Sequence, residues 1–105
     1  MKEITVKELK AMRDSGEEFT LIDVREPDEY EFVNIEGDLV PLGDVPKHAD
    51  KFDQNHKVVV MCRSGGRSAT AVATLEAQHK LENLYNLKGG ILAWADEIDS
   101  SKPKY

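Results

Sequence analysis

The sequence predicts an α/β domain built on an open parallel sheet. Apolar residues alternate along the chain between strand-like blocks and helix-like spacing, which is typical of such sheets. The segment KVVVM at 57–61 is apolar over four consecutive positions, as expected of a central strand that is covered on both faces. The chain has 105 residues, of which 40% are apolar, and this suffices for one modest core.

The amino-terminal half begins with a helix whose start is marked by Thr5 and Glu8, a capping-box pair. Apolar residues recur at helical spacing after it, and the helix is expected to end near Gly16. The β-branched, apolar segment 19–24 predicts a buried strand. Pro27 suits the first turn of a short acidic helix that includes Tyr30 and Phe32.

The middle of the chain predicts short elements. Segment 39–42 is predicted to be a brief strand or an extended segment, because Pro41 has no N–H to donate to a neighbouring strand. Asp44 is expected to cap a helical turn over 45–48.

The carboxyl-terminal half predicts an Ala-rich helix over 68–80, a strand over 84–87 and a last helix opened by Gly89 and Gly90. Trp94 lies at helical spacing in that last helix and is interpreted as a core residue. We expect a single domain over 1–105, with a core over 1–98 and a loosely packed tail over 99–105.

Composition excludes several classes of function. A formal net charge of −6 argues against a general nucleic-acid binder, and the absence of a long apolar run argues against a membrane span. The start of the chain lacks an apolar signal core. One cysteine, Cys62, excludes an intrachain disulfide framework and suits a reducing cytoplasm. His48, His56 and His79 lack the spacing of a metal pair, so no metal or cofactor is expected.

The loop after the strongest strand concentrates the chemistry. Its residues are Cys62, Arg63, Ser64, Gly65, Gly66, Arg67 and Ser68. The paired glycines let successive N–H groups point inward as an anion-binding nest, and the following helix adds its amino-terminal dipole. The two arginines add full positive charge. Such surroundings lower the pKa of a cysteine from about 8.5 into a range of about 3.5–7.5. The alternative is that Cys62 is a small buried core residue.

Three ordered blocks resemble the rhodanese-like sulfurtransferases. They are LIDVREPDEY at 21–30, the cysteine loop at 62–68 and GGILAW at 89–94. The resemblance covers nearly the whole chain. It implies a five-stranded parallel sheet flanked by helices, with the cysteine loop at the carboxyl edge of the strands.

The resemblance also implies an activity. Cys62 would take a sulfane sulfur from a small anionic donor such as thiosulfate, or from a persulfide, and become a persulfide itself. It would then pass the sulfur to a thiol, a protein thiol or cyanide. The N–H groups from Arg63 through Arg67 would cradle the sulfur, and the arginine side chains would attract the donor.

Two other functions remain open. One is a non-catalytic protein-binding module on the same scaffold. The other is a cysteine phosphatase or arsenate reductase. Cysteine phosphatases place an arginine six positions after the cysteine, where this chain has Ser68, whereas Arg67 lies five positions after Cys62. The shorter loop closes a narrower ring of amides, which suits a single sulfur better than a tetrahedral phosphate.

Among the residues outside the loop, Asp23 has two interpretations. Asp23 lies in a predicted buried strand, where it either supports the loop from behind or simply pairs with Arg25. Arg25 itself is expected to form a salt bridge with Glu29, four residues on. Asn34 and Asp38 depart from the family pattern, which has a histidine and an alanine there; Asn34 is expected to replace part of the histidine's hydrogen bonding.

Overall fold

A parallel sheet of five strands forms the centre of the computed structural model, which describes residues 1–105. The strands are β1 (Glu3–Ile4), β2 (Phe19–Asp23), β3 (Asp38–Leu39), β4 (Lys57–Met61) and β5 (Leu84–Leu87). The helices are α1 (Val6–Ser15), α2 (Pro27–Phe32), a 3₁₀ helix (Leu42–Lys51), α3 (Gly66–His79) and α4 (Gly90–Glu97). The strand order is β1-β5-β4-β2-β3, so β4 is the central strand, as its apolar sequence predicts.

Two apolar layers cover the sheet, one on each face. Successive side chains of β4 point to opposite faces, so Val59 and Met61 join one layer while Val58 and Val60 join the other. Helices α1 and α4 cover the first face, where Trp94 is a buried core residue as predicted. Helix α3 and the 3₁₀ helix cover the second face. No helix is long and apolar enough to cross a membrane.

Helix α1 begins as its sequence predicts. The Glu8 N–H donates to the Thr5 hydroxyl oxygen at 3.1 Å, and the Thr5 N–H donates to the Glu8 carboxylate at 3.0 Å. Gly16 ends the helix with a φ of 72°, a left-handed conformation that glycine adopts without steric cost.

Four elements differ from those predicted. Strand β3 covers Asp38–Leu39, whereas a strand or extended segment was predicted over 39–42. The edge strand β1 was not predicted; it pairs with β5 through Glu3 and Ile4. The 3₁₀ helix begins at Leu42, directly after Pro41, so Asp44 lies inside it and does not cap it. Helix α3 begins at Gly66 instead of Ser68, because Gly65 adopts a φ of 111° and turns the chain into the helix.

Candidate active site

The cysteine loop lies at the carboxyl edge of the central strand and is held by the start of α4. Cys62 directly follows β4, and its carbonyl oxygen accepts a hydrogen bond from the Ile91 N–H at 3.0 Å. The carbonyl oxygen of Arg63 accepts another from the Leu92 N–H at 3.1 Å. The third sequence block is therefore in direct contact with the second through the main chain.

Gly90 is required at this contact. It has a φ of 57°, and a β-carbon added to it would lie 2.5 Å from the carbonyl oxygen of Arg63, with the carbonyl oxygen of Cys62 as close. Such distances are closer than a carbon and an oxygen can approach. Only glycine, which has no β-carbon, therefore allows α4 to pack against the loop.

The sulfur of Cys62 faces donors from its own loop. The Gly65 N–H lies 3.2 Å from Sγ, the Ser68 N–H 3.4 Å and the Ser68 hydroxyl 3.3 Å. Only 1% of the Cys62 residue is exposed. Of the N–H groups predicted to face inward, that of Gly65 points at the sulfur, together with that of Ser68 in the first turn of α3.

These donors determine the ionisation of the thiol. Burial opposes the thiolate and raises the pKa of Cys62. Hydrogen bonds from the hydroxyl and N–H of Ser68, and from the N–H groups of Gly65 and Ser64, act in the other direction. Together these hydrogen bonds lower the pKa of Cys62 by more than burial raises it, so the pKa lies below its usual value. Cys62 is buried, and the hydrogen-bond donors that face its sulfur favour the thiolate form.

Asn86 supports this loop from β5 and was not singled out in the sequence. Its Nδ2 donates to the carbonyl oxygen of Gly65 at 3.2 Å, and its Oδ1 accepts from the Ser68 hydroxyl at 2.5 Å. It is 3% exposed. The sequence signal that could have identified Asn86 is an amide within a mostly apolar strand, because a buried polar side chain requires hydrogen-bond partners.

Both loop arginines have partners within the protein. The Arg67 guanidinium forms two hydrogen bonds with the Glu29 carboxylate, of 2.7 and 2.9 Å. The Nε of Arg63 donates to the main-chain oxygen of Tyr105 at 2.7 Å. The predicted salt bridge between Arg25 and Glu29 is wrong, because the Glu29 carboxylate faces Arg67; Arg25 contacts only the main-chain oxygen of Glu29, at 3.3 Å.

Asp23 and Arg25 form a fully buried ion pair. The Arg25 Nη2 lies 2.7 Å from one carboxylate oxygen of Asp23, and its Nε lies 2.9 Å from the other. Arg25 also donates to the carbonyl oxygen of Val33 at 2.8 Å. Of the two interpretations of Asp23, the structure favours a partner for Arg25. No side-chain hydrogen bond joins Asp23 to the cysteine loop.

The carboxyl-terminal segment reaches this region through Tyr105. Its hydroxyl donates to Glu29 at 2.6 Å and accepts from Arg25 at 3.0 Å. Its ring meets Phe32 edge-on, with the centroids 5.9 Å apart. The expectation of a loosely packed tail is therefore wrong for Tyr105, whose partners lie far away in the sequence.

The two departures from the family pattern lie away from the sulfur. Asn34 donates to the carbonyl oxygen of Tyr30 at 3.0 Å and accepts from the Glu36 N–H at 2.9 Å. It therefore makes structural hydrogen bonds, as expected of a replacement for the histidine. Asp38 is exposed at the start of β3.

No group of three or more His, Cys, Asp or Glu side chains is placed to hold a metal ion.

Comparison with known sequences identifies relatives of this architecture. The family model of the rhodanese-like domain matches residues 5–97. The protein named "Putative sulfurtransferase YtwF" of Bacillus subtilis (strain 168) is 35% identical over 105 residues, covering 99% of this chain and 97% of that protein. "Putative sulfur carrier protein YrkF" of the same organism is 34% identical over 92% of this chain. The chain spans about half of YrkF, 52% of its length.

Solved structures show the same fold. A rhodanese-like domain protein from Staphylococcus aureus has a TM-score of 0.82 at 31% identity, covering 100% of this chain and 99% of that one. A rhodanese-related protein from Thermoplasma volcanium has a TM-score of 0.80 at 30% identity, covering 93% and 94% of the two chains. The resemblance carried by the three sequence blocks is confirmed. The chain belongs to the family of rhodanese-like domains.

Proposed function

We propose that this protein is a sulfurtransferase in which Cys62 carries the sulfur as a persulfide. The observation that carries the proposal is the set of donors around one sulfur: two N–H groups and a hydroxyl, each within 3.4 Å of Sγ. These donors stabilise a negative charge on the thiolate, and a persulfide places a similar charge on its outer sulfur. Relatives named sulfurtransferase and sulfur carrier are about 35% identical to the chain, which supports the same chemistry.

The first step transfers the outer sulfur of the donor. The Cys62 thiolate attacks that sulfur in thiosulfate or in a persulfide, and a new S–S bond forms as the donor's own S–S bond breaks. The leaving group, sulfite or a thiolate, takes the electron pair of the broken bond. Cys62 is then a persulfide held by the loop amides.

The second step delivers the sulfur. An acceptor thiolate or cyanide attacks the outer sulfur of the Cys62 persulfide, and the cysteine leaves as a thiolate. The chain has no second cysteine. No thiol of the same chain can therefore resolve the persulfide, and the sulfur has to leave on an outside acceptor. We place this activity in a single domain spanning 1–105 and in a reducing compartment such as the cytoplasm, where a free thiol persists.

Mass spectrometry of the intact protein tests the proposal. Treatment with thiosulfate or a small persulfide is expected to add one sulfur, about 32 Da, to the wild-type protein and nothing to Cys62→Ser. Later addition of cyanide is expected to remove that mass and release thiocyanate. Equal thiocyanate production by the wild-type protein and Cys62→Ser would refute the proposal.

The same preparation distinguishes the remaining functions. A protein that gains no sulfur from either donor fits a binding module. Turnover of an aryl phosphate that disappears in Cys62→Ala would replace sulfur transfer with phosphatase chemistry.

A further inference from the structure

The positive charge of Arg67 is neutralised inside the protein. Its Nη1 and Nη2 each meet one oxygen of the Glu29 carboxylate, at 2.7 and 2.9 Å. Fifteen per cent of the Glu29 side chain is exposed. The Tyr105 hydroxyl, which donates at 2.6 Å, fixes the carboxylate from a second side. A bidentate pair held in this way offsets most of the positive charge that the guanidinium would present to a ligand.

Glu29 is ionised whenever the thiolate is. Hydrogen bonds from Arg67 lower the pKa of Glu29 to about 2 despite partial burial, and Tyr105 and the Glu26 N–H add to the effect. The pair is therefore present throughout the pH range in which a cysteine thiolate can act.

The other two arginines of this region also have partners within the protein. The buried charges of Arg25 and Asp23 offset each other. Arg63 has the main-chain oxygen and the ring of Tyr105 as its partners. All three arginines of this region therefore have partners within the protein, and Arg25 and Arg67 each face a carboxylate.

We propose that Glu29 is a specificity-determining residue that, by neutralising Arg67, makes the site favour persulfide donors over thiosulfate. This inference rests on the proposed sulfurtransferase function and names the donor class of the same site. Thiosulfate is a dianion, so its approach brings three negative charges together, counting the Cys62 thiolate. A persulfide brings at most one charge at its reacting end, and therefore two in total. Two negative charges repel each other less than three do, and the pairing of Arg67 with Glu29 removes a cation that would offset the difference.

The transfer from a persulfide is balanced without a further reactant. The Cys62 thiolate attacks the outer sulfur of the persulfide RSS⁻, the S–S bond of the donor breaks, and RS⁻ leaves with its electron pair. The products are the Cys62 persulfide anion and one thiolate, which carry the same total charge as the reactants.

Single-turnover kinetics with Glu29→Gln test this inference. The measured quantity is the second-order rate constant for sulfur addition to Cys62, followed by intact mass, with thiosulfate and separately with cysteine persulfide. Releasing Arg67 is expected to raise the ratio of the thiosulfate constant to the persulfide constant by about tenfold, since one more cation faces the dianion. The increase is expected to shrink as added salt screens the charges.

Glu31→Gln is the matched control. It lies on the same helix, is exposed, makes no hydrogen bond or ion pair, and changes the net charge of the protein equally. Its ratio is expected to equal that of the wild type. Glu29→Ala removes the same carboxylate and takes the place of Glu29→Gln if that variant does not fold.

The outcomes separate the two proposals. Wild-type protein that accepts sulfur from neither donor overturns the sulfurtransferase function and this inference with it. Wild-type protein that accepts sulfur, together with an unchanged ratio in the folded Glu29 variants, overturns the role of Glu29 alone. An equal rise in Glu31→Gln assigns the effect to net charge, which also overturns it.

Discussion

The hydroxyl of Ser68 lies 2.5 Å from the amide oxygen of Asn86. The Asn86 amide cannot be reversed without facing its oxygen toward the carbonyl oxygen of Gly65, so its Oδ1 points at Ser68. The single hydroxyl proton therefore has three acceptors, because the sulfur of Cys62 and the carbonyl oxygen of Gly65 each lie 3.3 Å from the same hydroxyl oxygen. A negative charge on sulfur favours donation to the sulfur.

Removing this hydroxyl is expected to raise the pKa of Cys62. Ser68→Ala keeps the N–H groups that face Sγ but loses the strongest of the hydrogen bonds that lower the pKa. One lost hydrogen bond to a charged group corresponds to about one pKa unit. The ultraviolet absorbance of the thiolate against pH measures the shift. Ser64→Ala, whose hydroxyl makes no hydrogen bond, is expected to keep the wild-type pKa; an equal shift in both variants would refute the role of Ser68.

Gly90→Ala is expected to disrupt the loop, whereas Gly16→Ala is not. Both glycines have a positive φ, so both variants lose about 1 kcal/mol of stability to backbone strain. An added β-carbon at Gly16 meets no atom within 4 Å, but at Gly90 it meets the carbonyl oxygens of Cys62 and Arg63. We expect Gly90→Ala to lose at least a further 1–3 kcal/mol, roughly the range for overpacking, and most of its sulfur transfer. Urea unfolding and the persulfide assay measure the two effects. Equal behaviour of the two variants would contradict this account.

Asp23→Asn is expected to destabilise the protein strongly. It leaves the Arg25 guanidinium fully buried without a counter-charge, and breaking such a pair costs about 3–5 kcal/mol. Replacing both residues by leucine removes the charge together with its partner, so the double variant is expected to lose less than the single one. Denaturant unfolding of the three proteins tests the order, and a loss below about 1 kcal/mol in Asp23→Asn would count against it.

The contribution of Glu29 to stability is expected to disappear in acid. The folded protein holds the pKa of this carboxyl at about 2, against an ordinary value of 4.5. A lowered pKa stabilises the fold above pH 4.5 and loses its effect as the pH falls from 4.5 towards 2. Glu29→Gln is expected to be less stable than the wild type by about 1–2 kcal/mol at neutral pH. Unfolding measured along this pH range should show the difference closing; a constant difference would exclude the linkage.

Local patterns predicted most of the fold but few of the long-range partners. Strand β4 and the cysteine loop were predictable because hydrophobicity, glycine spacing and charge all occur within a dozen consecutive residues. Strand β1 is too short to show a period, and it exists because β5 offers it an edge. Helical spacing predicted that Glu29 pairs with Arg25, and this was wrong. Arg25 forms a buried ion pair with Asp23 instead, and the Glu29 carboxylate binds Arg67. Such partners depend on the sheet bringing distant segments together.

The burial of Cys62 at the end of the central strand also affects how long a carried sulfur would survive. With 1% of the residue exposed and none of the surface pockets lined by its loop, a bulky reagent has little access to the sulfur that is bonded to carbon. The outer sulfur of a persulfide would be the part offered to a partner. The lifetime of the carried sulfur would then depend on how often a thiolate approaches that outer atom along the S–S bond.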